Sequence, residues 1–247
     1  MRIAILTDLH ANREAVSACL AHAEDRGAVQ YAFLGDLVGY GADPAWVLDT
    51  VMEYVSRGAW VVQGNHDVAV VAETRKHMNP DARQVVEWTR AQLSEQHLAF
   101  LRGLPLTREH GDILFVHASA AQPEQWEYIT GTIEAVKSMH ATKKRITFCG
   151  HVHEPALYNL TPTGKIMVFT PAPETGIPLS TQRRWLAIPG AAGQPRDGNP
   201  AACYALFDDA SNELTYFRVP YDYHAAADKI LSAGLPQKIG KRLEQGI

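Results

Sequence analysis

Arg2-Ile3-Ala4-Ile5-Leu6-Thr7-Asp8-Leu9-His10 opens the chain as an apolar run that breaks off into a carboxylate and an imidazole two residues apart. The run reads as a short buried strand. The same figure recurs: Val29–Leu34 ends at Gly35-Asp36, Trp60–Gln63 at Gly64-Asn65-His66-Asp67, Ile113–Val116 at His117, and Ile146–Cys149 at Gly150-His151-Val152-His153. Helix signals lie between the first of these. Asn12 can cap a helix reaching about Arg26 with Gly27 as its stop, Asp43-Pro44 opens one to about Arg57, and Asn79-Pro80 opens a further amphipathic helix. Alternating strands and helices imply an α/β protein, and sheets of that class carry their sites at the carboxyl ends of strands.

The second half changes character. Ala156–Leu160, Lys165–Phe169, Trp185–Ile188, Cys203–Phe207 and Leu214–Val219 read as short strands between Pro-, Gly- and Asp-rich turns, and a helical segment from about Tyr223 to Ala233 is expected to be the last element. One domain over residues 1–247, with two sheets and outer helices, accommodates this order.

Composition bounds the function. With 247 residues, 46% hydrophobic and 20% charged, the chain has enough apolar surface for a sizeable core. A net charge of −4 gives no global basic field, hence no strong signal for nucleic acid or an anionic membrane. Lys143-Lys144-Arg145, Arg183-Arg184 and Lys241-Arg242 are short and read as solvated surface. Cys19, Cys149 and Cys203 are far apart and form no CxxC pair, which fits buried thiols in a reducing compartment. The first apolar run is too short for a signal peptide or a membrane span, so the expected location is cytoplasmic, and the sequon Asn159-Leu160-Thr161 carries no weight. Nothing in the sequence sets an oligomeric state.

Extended backbone points residues two apart the same way, so Asp8 and His10 are expected to reach one ion. His151 and His153 have the same spacing and can share an ion or serve two adjacent ones. Carboxylate, amide oxygen and imidazole without thiolate suit Mn, Fe or Zn better than a structural thiolate zinc site or calcium. A central carboxylate such as Asp36 can bridge two such ions.

The order Asp8-Leu9-His10, Gly35-Asp36-Leu37-Val38-Gly39-Tyr40-Gly41, Gly64-Asn65-His66-Asp67, Val116-His117 and Gly150-His151-Val152-His153 resembles the successive motifs of calcineurin-like metallophosphoesterases, over roughly residues 1–155. Ile188-Pro189-Gly190-Ala191-Ala192-Gly193-Gln194-Pro195-Arg196-Asp197 resembles the Asn-Pro-Gly-Ser-Val-Gly-Gln-Pro-Arg segment of small bacterial members, with Ile188 and Ala191 replacing the Asn and Ser. The resemblance implies two mixed β-sheets packed face to face with helices on the outer faces, an αββα four-layer sandwich. It implies two divalent or trivalent transition-metal ions. Asp8, His10, Asp36 and His153 would hold one, and Asp36, Asn65, His117 and His151 the other. His66 would be the acid that meets the leaving group. Protein serine/threonine phosphatases have Asp-Arg where this chain has Gly39-Tyr40, which points to a small phosphorylated substrate instead.

The expected reaction is hydrolysis of a small phosphomonoester or phosphodiester, nucleotides among the candidates, by a hydroxide held between the metals. Asp36 would bridge the ions, Asn65 would stabilise phosphoryl charge, and no phospho-enzyme would form. Two alternatives stay open: a dinucleoside polyphosphate hydrolase, and an inactive scaffold like the retromer subunit of this fold. Other residues have plainer readings. Asn12 reads as a helix cap, Asp67 as either a cap or an orienting group, and Tyr40 as a leaving-group contact or loop packing. Arg196 reads as a turn residue bridged to Asp197, or else as a phosphate ligand. Trp126 and Tyr128 read as loop residues or as the lining of an entrance, whereas His22, His77, His97, His110, His140 and His224 read as surface or packing residues.

Overall fold

The computed structural model describes residues 1–72 and 79–247. In chain order the elements are β1 (Arg2–Leu6), α1 (Arg13–Asp25), β2 (Gln30–Phe33), α2 (Pro44–Ser56), β3 (Trp60–Val61), α3 (Asn65–Val71), α4 (Pro80–Ala91), α5 (Glu95–Gly103), β4 (Thr107–His110), β5 (Ile113–Val116) and α6 (Thr132–His140). They continue with β6 (Ile146–Phe148), β7 (Ala156–Leu160), β8 (Ile166–Phe169), β9 (Ile177–Pro178), β10 (Arg184–Ile188), β11 (Ala202–Asp208), β12 (Glu213–Val219), α7 (Tyr223–Ser232) and α8 (Gln237–Gln245). His77 lies outside the described residues.

The strands form two mixed six-stranded sheets, ordered β3-β2-β1-β11-β12-β9 and β4-β5-β6-β10-β7-β8. In the first, β1, β2 and β3 run parallel; in the second, β5, β6 and β10 do. Side-chain alternation along each strand builds the layers. Ile3 and Ile5 of β1 face Phe115 and Phe148 of the other sheet in a core between the sheets. Ala4 and Leu6 point the opposite way and pack under α1 and α2. On the far side, Ala135 and Met139 of α6 cover Leu160 and Leu186. The result is the expected four-layer α/β arrangement. Among the described residues, no helix is long and apolar enough to cross a membrane.

One sequence expectation is refined and one needs correction. The amphipathic helix opened by Asn79-Pro80 stops at Ala91, and Ser94 caps a second helix, α5, by accepting from the backbone N–H of His97. The chain also does not end its helical structure at residue 233, because α8 follows and packs Ile239 and Leu243 against α4 and α7.

Candidate metal centre

Parallel strands deliver their carboxyl ends to one place. The loops after β1 and β2 carry Asp8 and Asp36, the loop after β3 leads to Asn65 at the start of α3, and those after β5 and β6 carry His117 and His151. A backbone ladder stitches the first two loops together: Asp8 N–H donates to Gly35 O (3.1 Å), His10 N–H to Asp36 O (2.9 Å) and Ala11 N–H to Leu37 O (3.0 Å). Asp67, fully buried, accepts from the N–H groups of Leu37 and Val38 with one oxygen and from Gly64 with the other. It therefore caps α3 and anchors the Asp36 loop at once.

The backbone here is not the extended chain that residue spacing suggests. Asp8, His10, Asp36, His151 and His153 all have φ between 46° and 69°, as do Ala11 and Tyr40. Left-handed residues other than glycine are uncommon and strained, and such strain gathers at functional sites. Convergence comes from tight turns, held by the ladder above.

Two clusters form. Asp8, His10, Asp36 and His153 offer ligand atoms that all lie within 4.8 Å of one another, as do Asp36, His117 and His151. Asn65 joins the second cluster, with its Oδ1 3.2 Å from His117 Nε2. His151 and His153 thus go to different clusters, and Asp36 belongs to both.

The hydrogen bonds aim these groups inward. Each carboxylate is held by one oxygen: Asp8 Oδ2 accepts from Thr7 Oγ1 and His151 N–H, and Asp36 Oδ1 from His66 N–H. That leaves Asp8 Oδ1 buried without a hydrogen-bond partner and Asp36 Oδ2 3.4 Å from His117 Nε2. The imidazoles of His10, His117 and His153 each donate from Nδ1 to a backbone carbonyl, of Val38 (3.3 Å), Leu34 (2.7 Å) and Gln194 (2.6 Å). A carbonyl only accepts, so Nδ1 carries a proton, and whenever the ring is neutral its Nε2 lone pair is the one turned to the centre.

His10 Nε2 and His153 Nε2 lie 3.2 Å apart, as do His117 Nε2 and His151 Nδ1. Facing lone pairs and carboxylate oxygens repel unless a cation or a proton lies between them. The residues present therefore fit metal ions of the borderline class that imidazole and carboxylate prefer.

Electrostatics favour a positive charge at the centre: burial disfavours the charged His117 ring, yet the Asp36 carboxylate beside it outweighs this and raises the ring to about 9. Burial, with the His153 ring beside it, drives His10 well below the usual imidazole range. Burial opposes ionisation of Asp36, yet the His117 and His66 rings hold its carboxyl well below the usual carboxylate range. His66 sits outside both clusters, 5.0 Å from the His10 ring and 4.5 Å from the Tyr40 ring, and burial lowers its pKa first of all.

The remaining expectations fall as follows. Asn12 caps α1 by accepting from Ala15 N–H. Tyr128 stacks on His151 at 3.9 Å between centroids, and Trp126 meets His117 edge-on at 5.8 Å, so both stand beside the second cluster. Arg196 is not bridged to Asp197, because that carboxylate pairs with Arg218 instead. His22 bonds the Tyr204 hydroxyl, His97 bonds Asp49, and His224 pairs with Glu244, none of them at the centre.

A family model for the calcineurin-like phosphoesterase superfamily domain matches residues 1–212. An uncharacterized protein of Methanocaldococcus jannaschii is 32% identical over 99% of this chain and 98% of its own length. The crystal structure of a metallophosphoesterase from Sphaerobacter thermophilus superposes with a TM-score of 0.88 at 34% identity, covering 100% of this chain and 99% of that one. A hypothetical protein from Pyrococcus horikoshii OT3 shares the fold at a TM-score of 0.81 and 20% identity, over 100% and 98% of the two chains.

Proposed function

The chain belongs to the calcineurin-like phosphoesterase superfamily, and we propose that it hydrolyses small phosphomonoesters or phosphodiesters at a binuclear metal centre. The supporting observation is the inward set of Asp8 Oδ1, Asp36 Oδ2 and the ring nitrogens of His10, His117, His151 and His153, which converge in two clusters with Asp36 in both. Asp8, His10, Asp36 and His153 would hold one ion, and Asp36, Asn65, His117 and His151 the other. Mn, Fe or Zn at these positions would polarise the phosphoryl oxygens and make water acidic enough to react near neutral pH.

The chain's own groups do the rest. Asn65 offers its Oδ1 to the second cluster and leaves its amide N–H groups for a phosphoryl oxygen, where charge gathers as the ester breaks. His66 follows Asn65 on the first turn of α3, and its backbone N–H is pinned to Asp36 Oδ1. Its ring is thereby set beside the clusters without joining either, in position to give a proton to the departing oxygen. An inactive scaffold would lack ligands, whereas every motif position here carries a side chain able to bind metal.

The test is a panel of monoesters, diesters and dinucleotides offered to purified protein loaded with Mn²⁺. Hydrolysis of at least one class, abolished by chelation and restored by the ion, is expected. Failure on every class with metal demonstrably bound would remove the reading.

A further inference from the structure

Arg196 is a cation left without a counter-charge beside the proposed acid. Its Nη2 donates to Gln194 Oε1 (2.8 Å), its backbone N–H donates to His153 O (3.3 Å), and its Nε is buried with no hydrogen-bond partner. Asp197, the neighbour that could neutralise it, is turned away to Arg218. Among the described residues no carboxylate pairs with Arg196. A half-buried guanidinium without a carboxylate is costly to keep, and it becomes favourable once an anion meets it.

Its surroundings say which anion. The guanidinium carbon lies 5.8 Å from the Tyr40 ring centroid, and that ring in turn lies 4.5 Å from His66. Tyr40 adopts φ 63°, a strained conformation for an aromatic residue, to stand between the two. Arg196 is thus tied to His153 of one cluster, with the Tyr40 ring between it and His66, and Tyr128 stands on His151 of the other cluster. Tyr128 has one face on His151 and is 52% exposed, so an aromatic surface remains open at the rim.

We propose that Arg196 and Tyr128 form a leaving-group subsite, which accepts a flat leaving group bearing a negative charge of its own. The inference rests on the phosphoesterase reading and deepens it. It assigns to Arg196 the charge on the departing half of the ester and leaves the transferred phosphoryl to the metal clusters.

Phenyl phosphate and 4-carboxyphenyl phosphate isolate the effect, because their phenols have similar acidity and differ in one distal carboxylate. With Mn²⁺-loaded protein, kcat/KM is expected to favour the carboxylated ester by about tenfold or more, chiefly through KM, as a charged hydrogen bond allows. Arg196→Gln should lower that preference by about 10- to 100-fold, and Arg196→Lys should retain a measurable part of it. Absence of a wild-type preference would overturn the subsite while leaving hydrolysis of both esters in place. Equal losses on both esters in Arg196→Gln, with or without loss of bound metal, would also overturn it, in favour of phosphoryl binding or packing. Failure of the wild-type protein to hydrolyse either ester, with the whole panel above also inert, would remove the phosphoesterase reading and this subsite with it.

Discussion

Gly64 packs so closely on Asp36 that a β-carbon added to it would stand 2.1 Å from the Asp36 backbone nitrogen and 2.2 Å from its Oδ1. Its backbone is otherwise ordinary, with φ −105° and ψ 170°, so glycine is required here by space alone. Gly58 gives the opposite case, with φ 102° and nothing within 4 Å of an added β-carbon.

Gly58→Ala is therefore expected to cost about 1–2 kcal/mol through backbone strain and to leave bound metal unchanged. Gly64→Ala should cost about 3 kcal/mol or more and reduce metal binding, because Asp36 must move to admit the methyl group. Urea unfolding and metal content on the same preparations check both. Equal metal content in the two variants would show that the Gly64–Asp36 contact does not set the site.

His66→Ala should keep near-normal metal content and lose activity according to leaving group. A nitrophenolate departs unaided, whereas a ribose alkoxide needs a proton, so the nucleotide ester should lose about 10²–10⁴-fold and the nitrophenyl ester much less. Equal losses would make His66 a phosphate-binding group, and a parallel loss of metal would make it a ligand.

Phosphoserine and phosphothreonine proteins should be poor substrates beside small esters. A β-carbon at Gly39 would lie 2.6 Å from His66 Nδ1, so the space that an acidic side chain would need there is taken by the imidazole itself. Tyr40 fills the next position with a ring instead of a guanidinium. Comparable kcat/KM on a phosphoprotein and on the best small ester would overturn this.

Thiol reagents should label the native protein slowly. Cys19, Cys149 and Cys203 are buried and unpaired, and burial pushes the Cys19 thiol up to about 12 and the other two upward as well. Denaturation should release three reactive thiols per chain. Rapid labelling of any of them without denaturant would contradict the packing described.

Much of this was legible before the structure because strand ends are easy to read. The runs before Asp8, Asp36, Asn65, His117 and His151 are apolar and short, and each stops at a residue that carries chemistry. The route by which the ligands converge was not legible. Asp8, His10, His151 and His153 were expected on extended backbone and instead sit in left-handed turns. Asp and His tolerate this conformation better than most residues, but they adopt it too rarely for the sequence to announce it. It is imposed by hydrogen bonds between loops distant in sequence, such as His10 N–H to Asp36 O. Helix α8 escaped notice because Gln237–Gln245 offers only Ile239 and Leu243 as apolar anchors in a strongly polar run. The expected Arg196–Asp197 bridge failed for a similar reason: Arg218, which claims Asp197, comes from β12 and is no sequence neighbour.

The central claim is a pair of metal sites that share Asp36, and metal content per chain after identical dialysis tests it most directly. Wild-type protein should retain about two equivalents, His153→Ala about one, and Asp36→Ala close to none, since one carboxylate serves both clusters. An Asp36→Ala protein that keeps two full equivalents and wild-type hydrolysis would contradict the account.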